Sequence, residues 1–203
     1  AFGGMPAYQI SVVHSSNLLK KVEKLYSLFL PRPINVMFLA MLGFYILLLC
    51  MRVNPWLAIP GAVAYGLASF YILYTGAGHT AKVKAVAYMA PVLGGVLLTL
   101  RGRLLAGGAL TAFFLGLQLS ANHLQMTYYL LILLVIVGIG EAIRLILEKN
   151  VTHLLKSVAI LLAAAGIGIL PSSSNLLTTL EYSDYTTRGE SELTITPQGE
   201  PRT

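Results

Sequence analysis

The chain has 203 residues, of which 56% are hydrophobic and 11% are charged, and its formal net charge is +6. A soluble domain carries about a quarter charged residues, so the composition excludes an ordinary soluble protein. The basic residues stand at the ends of apolar runs and form no stripe with aromatic residues, which excludes a nucleic-acid interface. In a membrane protein the same charge indicates topology and contact with anionic lipid.

Residues 1–33 are predicted to form an outer loop that contains one interfacial helix. Between Asn17 and Leu30 the apolar residues recur at helical spacing, and the lysines fall largely on the opposite face. The segment is too short and too charged to span a membrane, so we expect it to lie along the surface with its lysines toward the lipid headgroups. Pro31 and Pro33 end it.

Residues 34–170 are predicted to form a six-span transmembrane module in an all-α fold. Each apolar run reaches roughly 24–30 Å as a helix, about the thickness of the hydrocarbon core. Short polar loops join the runs, so neighbouring helices should form antiparallel hairpins. The predicted spans are Ile34–Met51, Pro55–Tyr74, Ala85–Leu100, Leu104–Ala121, Met126–Ile143 and Leu154–Leu170.

The orientation is predicted from lysine and arginine in the short loops. One side holds six of these residues, namely Arg52, Arg101, Arg103, Arg144, Lys149 and Lys156. The interhelical loops on the other side hold Lys82 and Lys84. The first side is therefore predicted to be cytoplasmic, and both ends of this chain are then extracytoplasmic.

Two ridges of small residues recur every four residues within predicted spans. One comprises Ala58, Ala62 and Gly66, and the other comprises Gly108, Ala112, Gly116 and Ser120. Such ridges let helix backbones approach closely. Packing within the chain is the expected use, and a homo-oligomer seam is the alternative.

Polar residues gather in three clusters on the predicted outer side. The candidate substrate or phosphate contacts among them are His79, Lys82, Lys84, Asn122, His123, Gln125 and Arg188. His79 and the two lysines lie near a span's N-terminus, which favours anions; the alternative is snorkelling of the lysines to the interface. The group around His123, with Gln118 one turn deeper, suits a wet cavity; the alternative is helix capping and interhelical hydrogen bonding.

Residues 171–203 are predicted to begin an extracytoplasmic region, with an outer helix from Asn175 to about Tyr185 and a polar tail. Glu181 and Asp184 share a helix face and could divide acid and base duties, or simply form a solvated acidic surface. No H-x-x-x-H or similar ligand spacing occurs, so no cofactor is predicted, although histidines and acids on one side would be compatible with a divalent metal. We expect the chain to be a piece of a longer protein.

Several segments together resemble the YfhO family of bacterial polytopic membrane proteins. They are Phe2-Gly3-Gly4-Met5-Pro6, Asn122-His123-Leu124-Gln125 with Tyr128-Tyr129, and Glu181-Tyr182 followed by Tyr185-Thr186-Thr187-Arg188-Gly189-Glu190. The resemblance covers nearly the whole chain but only an N-terminal portion of the family's longer proteins. It implies a multi-pass protein of the bacterial inner membrane.

That family is similar to the type C glycosyltransferases, which take sugar from a polyprenyl-phosphate carrier on the outer leaflet. The resemblance implies an outward-facing site, with membrane lipid and a polyprenyl-phosphate-linked sugar as partners. Such enzymes usually carry a catalytic acid in the outer loop after the first span. Here that stretch would precede Ala1, so Glu181 and Asp184 do not inherit the role and the catalytic base is unassigned.

Two functions from different classes are therefore expected. In the first, a carboxylate deprotonates an acceptor hydroxyl while cations hold the departing phosphate. In the second, the chain is a non-enzymatic transporter or assembly subunit whose outer polar groups gate a pathway. No predicted span has an ionisable residue at its centre or a break at its midplane, which argues against a transporter.

Overall fold

The computed structural model describes residues 18–183, and every regular element in this range is a helix. The chain forms two compact units, residues 17–172 and residues 1–16 with 173–203. The described helices of the first unit are α1 (Leu18–Tyr26), α2 (Ile34–Cys50), α3 (Pro55–Gly66), α4 (Ser69–Gly76), α5 (Thr80–Leu100), α6 (Leu104–Ser120), α7 (Leu124–Leu147) and α8 (Val151–Ile169), followed by the 3-10 turn Leu170–Ser172. The described helix of the second unit is α9 (Ser173–Ser183).

Four helical stretches are long and apolar enough to cross a membrane. They are Pro55–Gly76, Thr80–Leu100, Leu124–Leu147 and Val151–Glu181. The two other predicted spans correspond to α2 and α6, which are apolar but only 17 residues long. The all-α membrane character is thus confirmed for the described residues, while the count of six spans stays a prediction.

Helix α5 is the central helix of the first unit, with α2, α6, α7 and α8 packed around it. It is buried over most of its length because small residues line it, which lets its neighbours approach. Gly43 of α2 shows how close the approach is, since a Cβ there would lie 2.7 Å from the Ala87 carbonyl oxygen. Pro91 has no N–H, so the Ala87 carbonyl lacks its ordinary helical hydrogen bond. The Gly43 backbone packs against this part of α5.

The closest crossing joins α5 and α6 through a reciprocal pair of Gly-x-x-x-Thr segments. A Cβ at Gly95 would lie 2.5 Å from Thr111 Oγ1, and a Cβ at Gly107 would lie 2.3 Å from Thr99 Oγ1. The Thr99 hydroxyl donates to the Gly95 carbonyl and the Thr111 hydroxyl to the Gly107 carbonyl, each at 2.9 Å. Each threonine is therefore satisfied within its own helix while it packs on the glycine of the other.

Both predicted small-residue ridges are used for packing within the chain. Gly66 lies against α2, where a Cβ would meet Met41 Cγ at 2.3 Å. Gly108 lies against α8, where a Cβ would meet Ile160 Cγ2 at 2.6 Å, and Gly116 lies against both α1 and α8. These contacts show that both ridges pack within the chain, as expected, while the homo-oligomer seam stays an untested alternative.

The second predicted span is interrupted rather than continuous. Helix α3 ends at Gly66 and α4 begins at Ser69, with Leu67 and Ala68 between them. This corrects the expectation of an unbroken span. The break is level with the first two turns of α2, because Gly66 contacts Met37 and Met41 there. Twelve residues of the Pro55–Gly76 stretch precede the break and eight follow it, so the break lies in the middle part of that stretch.

The helices of the first unit define two ends that carry different polar groups. Helices α2, α5 and α7 begin at the His79 end, which contains His79, Asn122 and His123. They finish at the arginine end, which contains Arg52, Arg101, Arg103 and Arg144. The first corresponds to the predicted outer side and the second to the predicted cytoplasmic side.

Candidate functional site

His79 and Lys82 share one aromatic neighbour at the His79 end. The rings of His79 and Tyr74 have centroids 5.8 Å apart, and Lys82 Nζ lies 4.0 Å from the Tyr74 ring centroid. Tyr74 belongs to α4, so the short helix after the break is what brings this ring to the start of α5. The lysine, which is half-buried, is thus held by a cation–π contact.

Lys84 has a different environment, because it forms an ion pair with Glu23 of α1. The side chains of Lys84 and Glu23 are 16% and 12% exposed, so the pair is largely shielded from solvent. Tyr26, one turn further along α1, packs edge-on against Phe114 at 5.5 Å. Ion pair and aromatic contact together dock α1 on the bundle, so a phosphate at Lys84 would have to compete with Glu23.

Two tyrosine hydroxyls near this ion pair are buried without a hydrogen-bond partner among residues 18–183. They belong to Tyr26 and Tyr88. Tyr88 lies within electrostatic reach of Glu23 and Tyr26, and burial raises the pKa of the Tyr26 phenol above its ordinary value. Buried polar groups are normally satisfied, so these two hydroxyls are exceptions where α1 packs on the bundle.

In the second predicted cluster, the side-chain amides of Gln118 and Gln125 have hydrogen-bond partners, whereas the Nδ1 atom of His123 has none among the described residues. Gln118 is fully buried and exchanges hydrogen bonds with the Thr127 hydroxyl at 3.0 and 3.2 Å. Gln125 Nε2 donates to the Tyr129 hydroxyl at 3.0 Å. Gln118 therefore joins α6 to α7, as the interhelical hydrogen-bond alternative predicts.

His123 is the member of this cluster that keeps a free nitrogen. Its Nδ1 is buried and has no hydrogen-bond partner among the described residues, 18–183. Its position is set by Asn122, whose φ of 53° closes the turn between α6 and α7. A buried imidazole nitrogen without a partner is an exception to the usual pairing of buried polar groups, and it keeps one unused hydrogen-bonding position at this turn.

The third predicted cluster cannot be joined to these residues. Glu181 is exposed on α9 in the second unit. Asp184 and Arg188 lie outside the described residues. The predicted convergence therefore concerns His79, Lys82, Lys84, Asn122, His123 and Gln125, which the structure does bring to the same end.

Sequence reasoning missed a charged network at the arginine end. Glu141 of α7, which is 8% exposed, accepts from Arg101 Nε and Nη2 at 3.1 and 3.0 Å and from Arg144 Nε at 2.8 Å. Arg144 Nη1 also donates to both oxygens of Glu148 at 2.9 Å. The available signal was Glu141 itself, an acid inside an apolar run with Arg144 one turn later.

His153 and Ser157 of α8 satisfy the end of α5. The last carbonyls of a helix have no intrahelical partner. His153 Nε2 lies 3.0 Å from the Leu100 carbonyl oxygen, and the Ser157 hydroxyl donates to the Thr99 carbonyl at 3.4 Å. These contacts explain why polar residues occur in the first two turns of an otherwise apolar helix.

Two clefts open at the arginine end and share Arg52 and Arg101. The first, of about 530 Å³, is mostly polar, and Glu141, Glu148 and His153 are among its lining residues. The second, of about 610 Å³, lies where α2, α5 and α6 meet and has mainly apolar walls. Its lining residues are Ile46, Leu49, Cys50, Arg52, Leu98, Arg101, Arg103 and Ala106.

Comparison with known proteins adds no assignment. No family model, no curated protein and no solved structure matches this chain. Within residues 18–183, no three histidine, cysteine or acidic side chains lie close enough together to hold a metal ion. The described chain is therefore a membrane-embedded helical protein with a polar site at the His79 end and a charged network at the arginine end.

Proposed function

We propose that this chain is the membrane-embedded part of a glycosyltransferase that takes sugar from a polyprenyl-phosphate carrier. It would act at the outer face of the bacterial inner membrane, with six spans and both ends of the chain outside. The proposal keeps the resemblance to the YfhO family and to type C glycosyltransferases. The observation that carries it is the docking of α1 on α5 and α6, at the same end of the bundle as His79, Lys82 and His123.

Helix α1 supports this proposal because it is an amphipathic helix fixed at the His79 end of the bundle. Glu23 and Tyr26 hold it to α5 and α6, while Lys21 and Lys24 are exposed. A helix of this kind lies at headgroup level, where it contacts lipid phosphates. A carrier lipid lying beside α1 would bring its phosphate to the same level as the His79 end.

In the proposed sugar transfer, the residues at the His79 end would have two roles, phosphate stabilisation and orientation of the reacting groups. His79, Lys82 and His123 would stabilise the phosphate as the sugar leaves, since positive charge and hydrogen-bond donors favour the departing group. Asn122 and Gln125 would orient the sugar or the histidine. Arg188 stays a proposed phosphate contact outside the described part of the chain.

Glu23 and Lys84 are assigned to docking rather than to proton transfer. The Glu23 carboxylate is paired with the Lys84 ammonium group and largely shielded from solvent, so we assign both side chains to holding α1 on α5. The base that activates the acceptor is therefore a separate carboxylate, and Glu181 and Asp184 stay candidates only as predicted from sequence.

The test uses His123→Ala and Lys82→Gln in the full-length protein, with Lys156→Gln as the matched control. Lys156 is exposed on α8 at the arginine end, so its loss removes the same charge far from the proposed site. Each site variant should lower transfer of radiolabelled sugar from polyprenyl phosphate by about 100-fold or more, as expected for loss of a leaving-group donor. Transfer rates equal to that of the control, at equal protein levels, would contradict the proposal.

One observation favours the second candidate, a transporter. The interrupted helix α3–α4, with its break in the middle part of the Pro55–Gly76 stretch, resembles the discontinuous helices that many transporters use at their binding sites. Flux of a small solute into liposomes that contain the protein, absent in His123→Ala, would support this function. Sugar transfer without any flux would favour the enzyme.

A further inference from the structure

The apolar cleft at the arginine end has the form of a lipid site. Its walls come from three helices, with Ile46 and Leu49 on α2, Leu98 on α5 and Ala106 on α6. Its rim carries Arg52, Arg101 and Arg103. We call these seven lining residues, together with Cys50, the arginine groove.

The rim is positively charged and in part unneutralised. Among residues 18–183, Arg52 and Arg103 take part in no ion pair. Arg101 is held by Glu141 through Nε and Nη2, which fixes its guanidinium in place and leaves further N–H donors. The fixed guanidinium of Arg101, with Arg52 and Arg103 on the same rim, can donate hydrogen bonds to the oxygens of a phosphate.

The neighbouring cleft shows why the arginine groove is the better anion site. That cleft is lined by Arg52, Arg101 and Arg144, but Glu141 and Glu148 line it too and offset most of this positive charge. The arginine groove has no acid among its described lining residues. The two clefts thus share arginines and differ in the charge that faces them.

We propose that the arginine groove binds an anionic phospholipid. The phosphate lies on Arg52, Arg101 and Arg103, and the first part of an acyl chain lies between α2 and α6. The apolar walls select a lipid over a free anion, because a soluble phosphate gains nothing from Ile46, Leu49 and Leu98. Basic pockets between membrane helices are a general means of holding acidic headgroups. This site is at the opposite end from the proposed sugar-transfer site and does not depend on it.

The test measures retained lipid by native mass spectrometry of the full chain in detergent. The probes are palmitoyl-oleoyl phosphatidylglycerol, the matching phosphatidylcholine, and inorganic phosphate as a competitor. Arg52→Gln/Arg103→Gln should weaken phosphatidylglycerol binding by about 30-fold, which is about fivefold for each arginine. The control Lys149→Gln/Lys156→Gln removes the same charge at the same end outside the groove and should change binding by less than about threefold.

A second variant tests the apolar part of the groove without changing charge. Ala106 is exposed on α6, so Ala106→Trp should fold normally and fill the groove. It should lower phosphatidylglycerol binding while the melting temperature is unchanged. Equal losses in the two double variants, equal binding of phosphatidylcholine, or displacement of the lipid by inorganic phosphate would each overturn the proposal.

Discussion

Replacement of Gly107 by alanine should separate the two most closely packed helices of the protein. The new Cβ would lie 2.3 Å from Thr99 Oγ1, 2.4 Å from Thr99 N and 2.7 Å from the Gly95 carbonyl oxygen. The Thr99 hydroxyl can rotate away, but the backbone nitrogen belongs to a rigid helix. Helices α5 and α6 must therefore move apart by about 1 Å to restore ordinary contact.

The energetic cost follows from that displacement. Overpacking of a well-packed contact costs about 1–3 kcal/mol, and a gap of about 1 Å along the rest of the crossing loses a quarter to a half of each dispersion contact. Because the obstacle is backbone, we expect about 2–3 kcal/mol of destabilisation for Gly107→Ala, and a similar value for Gly95→Ala. Alanine also gains up to about 1 kcal/mol of helix propensity, which opposes this loss.

Gly138→Ala is the matched control. Gly138 lies inside α7, and a Cβ there meets nothing within 4 Å. The propensity gain is common to both variants, so the difference between them reports the contact alone. Unfolding would be followed by circular dichroism in detergent micelles titrated with sodium dodecyl sulfate. A difference below about 0.5 kcal/mol between the two variants would refute the reasoning, since overpacking at a rigid crossing must cost more.

Three further changes test other contacts. Glu141→Gln should destabilise the arginine end by about 2 kcal/mol in the same titration. This loss is smaller than for a fully buried ion pair, because both arginines stay partly solvated. Glu148→Gln breaks a more exposed pair and should cost under about 1 kcal/mol. Lys84→Met should speed amide hydrogen exchange across residues 18–26, and the charge-swapped variant Glu23→Lys/Lys84→Glu should restore the protection. An unchanged exchange rate in Lys84→Met would show that the ion pair does not dock α1. An impermeant maleimide applied to intact cells should label Ala77→Cys and not Asn150→Cys, and the reverse pattern would invert the orientation.

The membrane character and the approximate helices follow from local properties of the sequence. A run of apolar residues must satisfy its backbone within itself in lipid, so run length and loop position are enough to predict the helices. The small-residue ridges at Ala58–Gly66 and Gly108–Ser120 could also be predicted from the sequence, because they depend only on local spacing. A Gly or Ala every four residues lies on one side of a helix whatever packs against it.

The tertiary structure decided which face of each helix is buried and which charged residues form ion pairs. A membrane helix is apolar on nearly all sides, so its periodicity does not show which side meets a neighbour and which meets lipid. Glu141 and Arg101 are 40 residues apart, and Lys84 and Glu23 are 61 residues apart. Their pairing depends on which helices become neighbours and how each is rotated about its axis. Glu141 was therefore not identified from the sequence, whereas the fold makes it the centre of a charged network. Lys82 and Lys84 were grouped together from the sequence, whereas the fold places Lys82 on the Tyr74 ring and pairs Lys84 with Glu23.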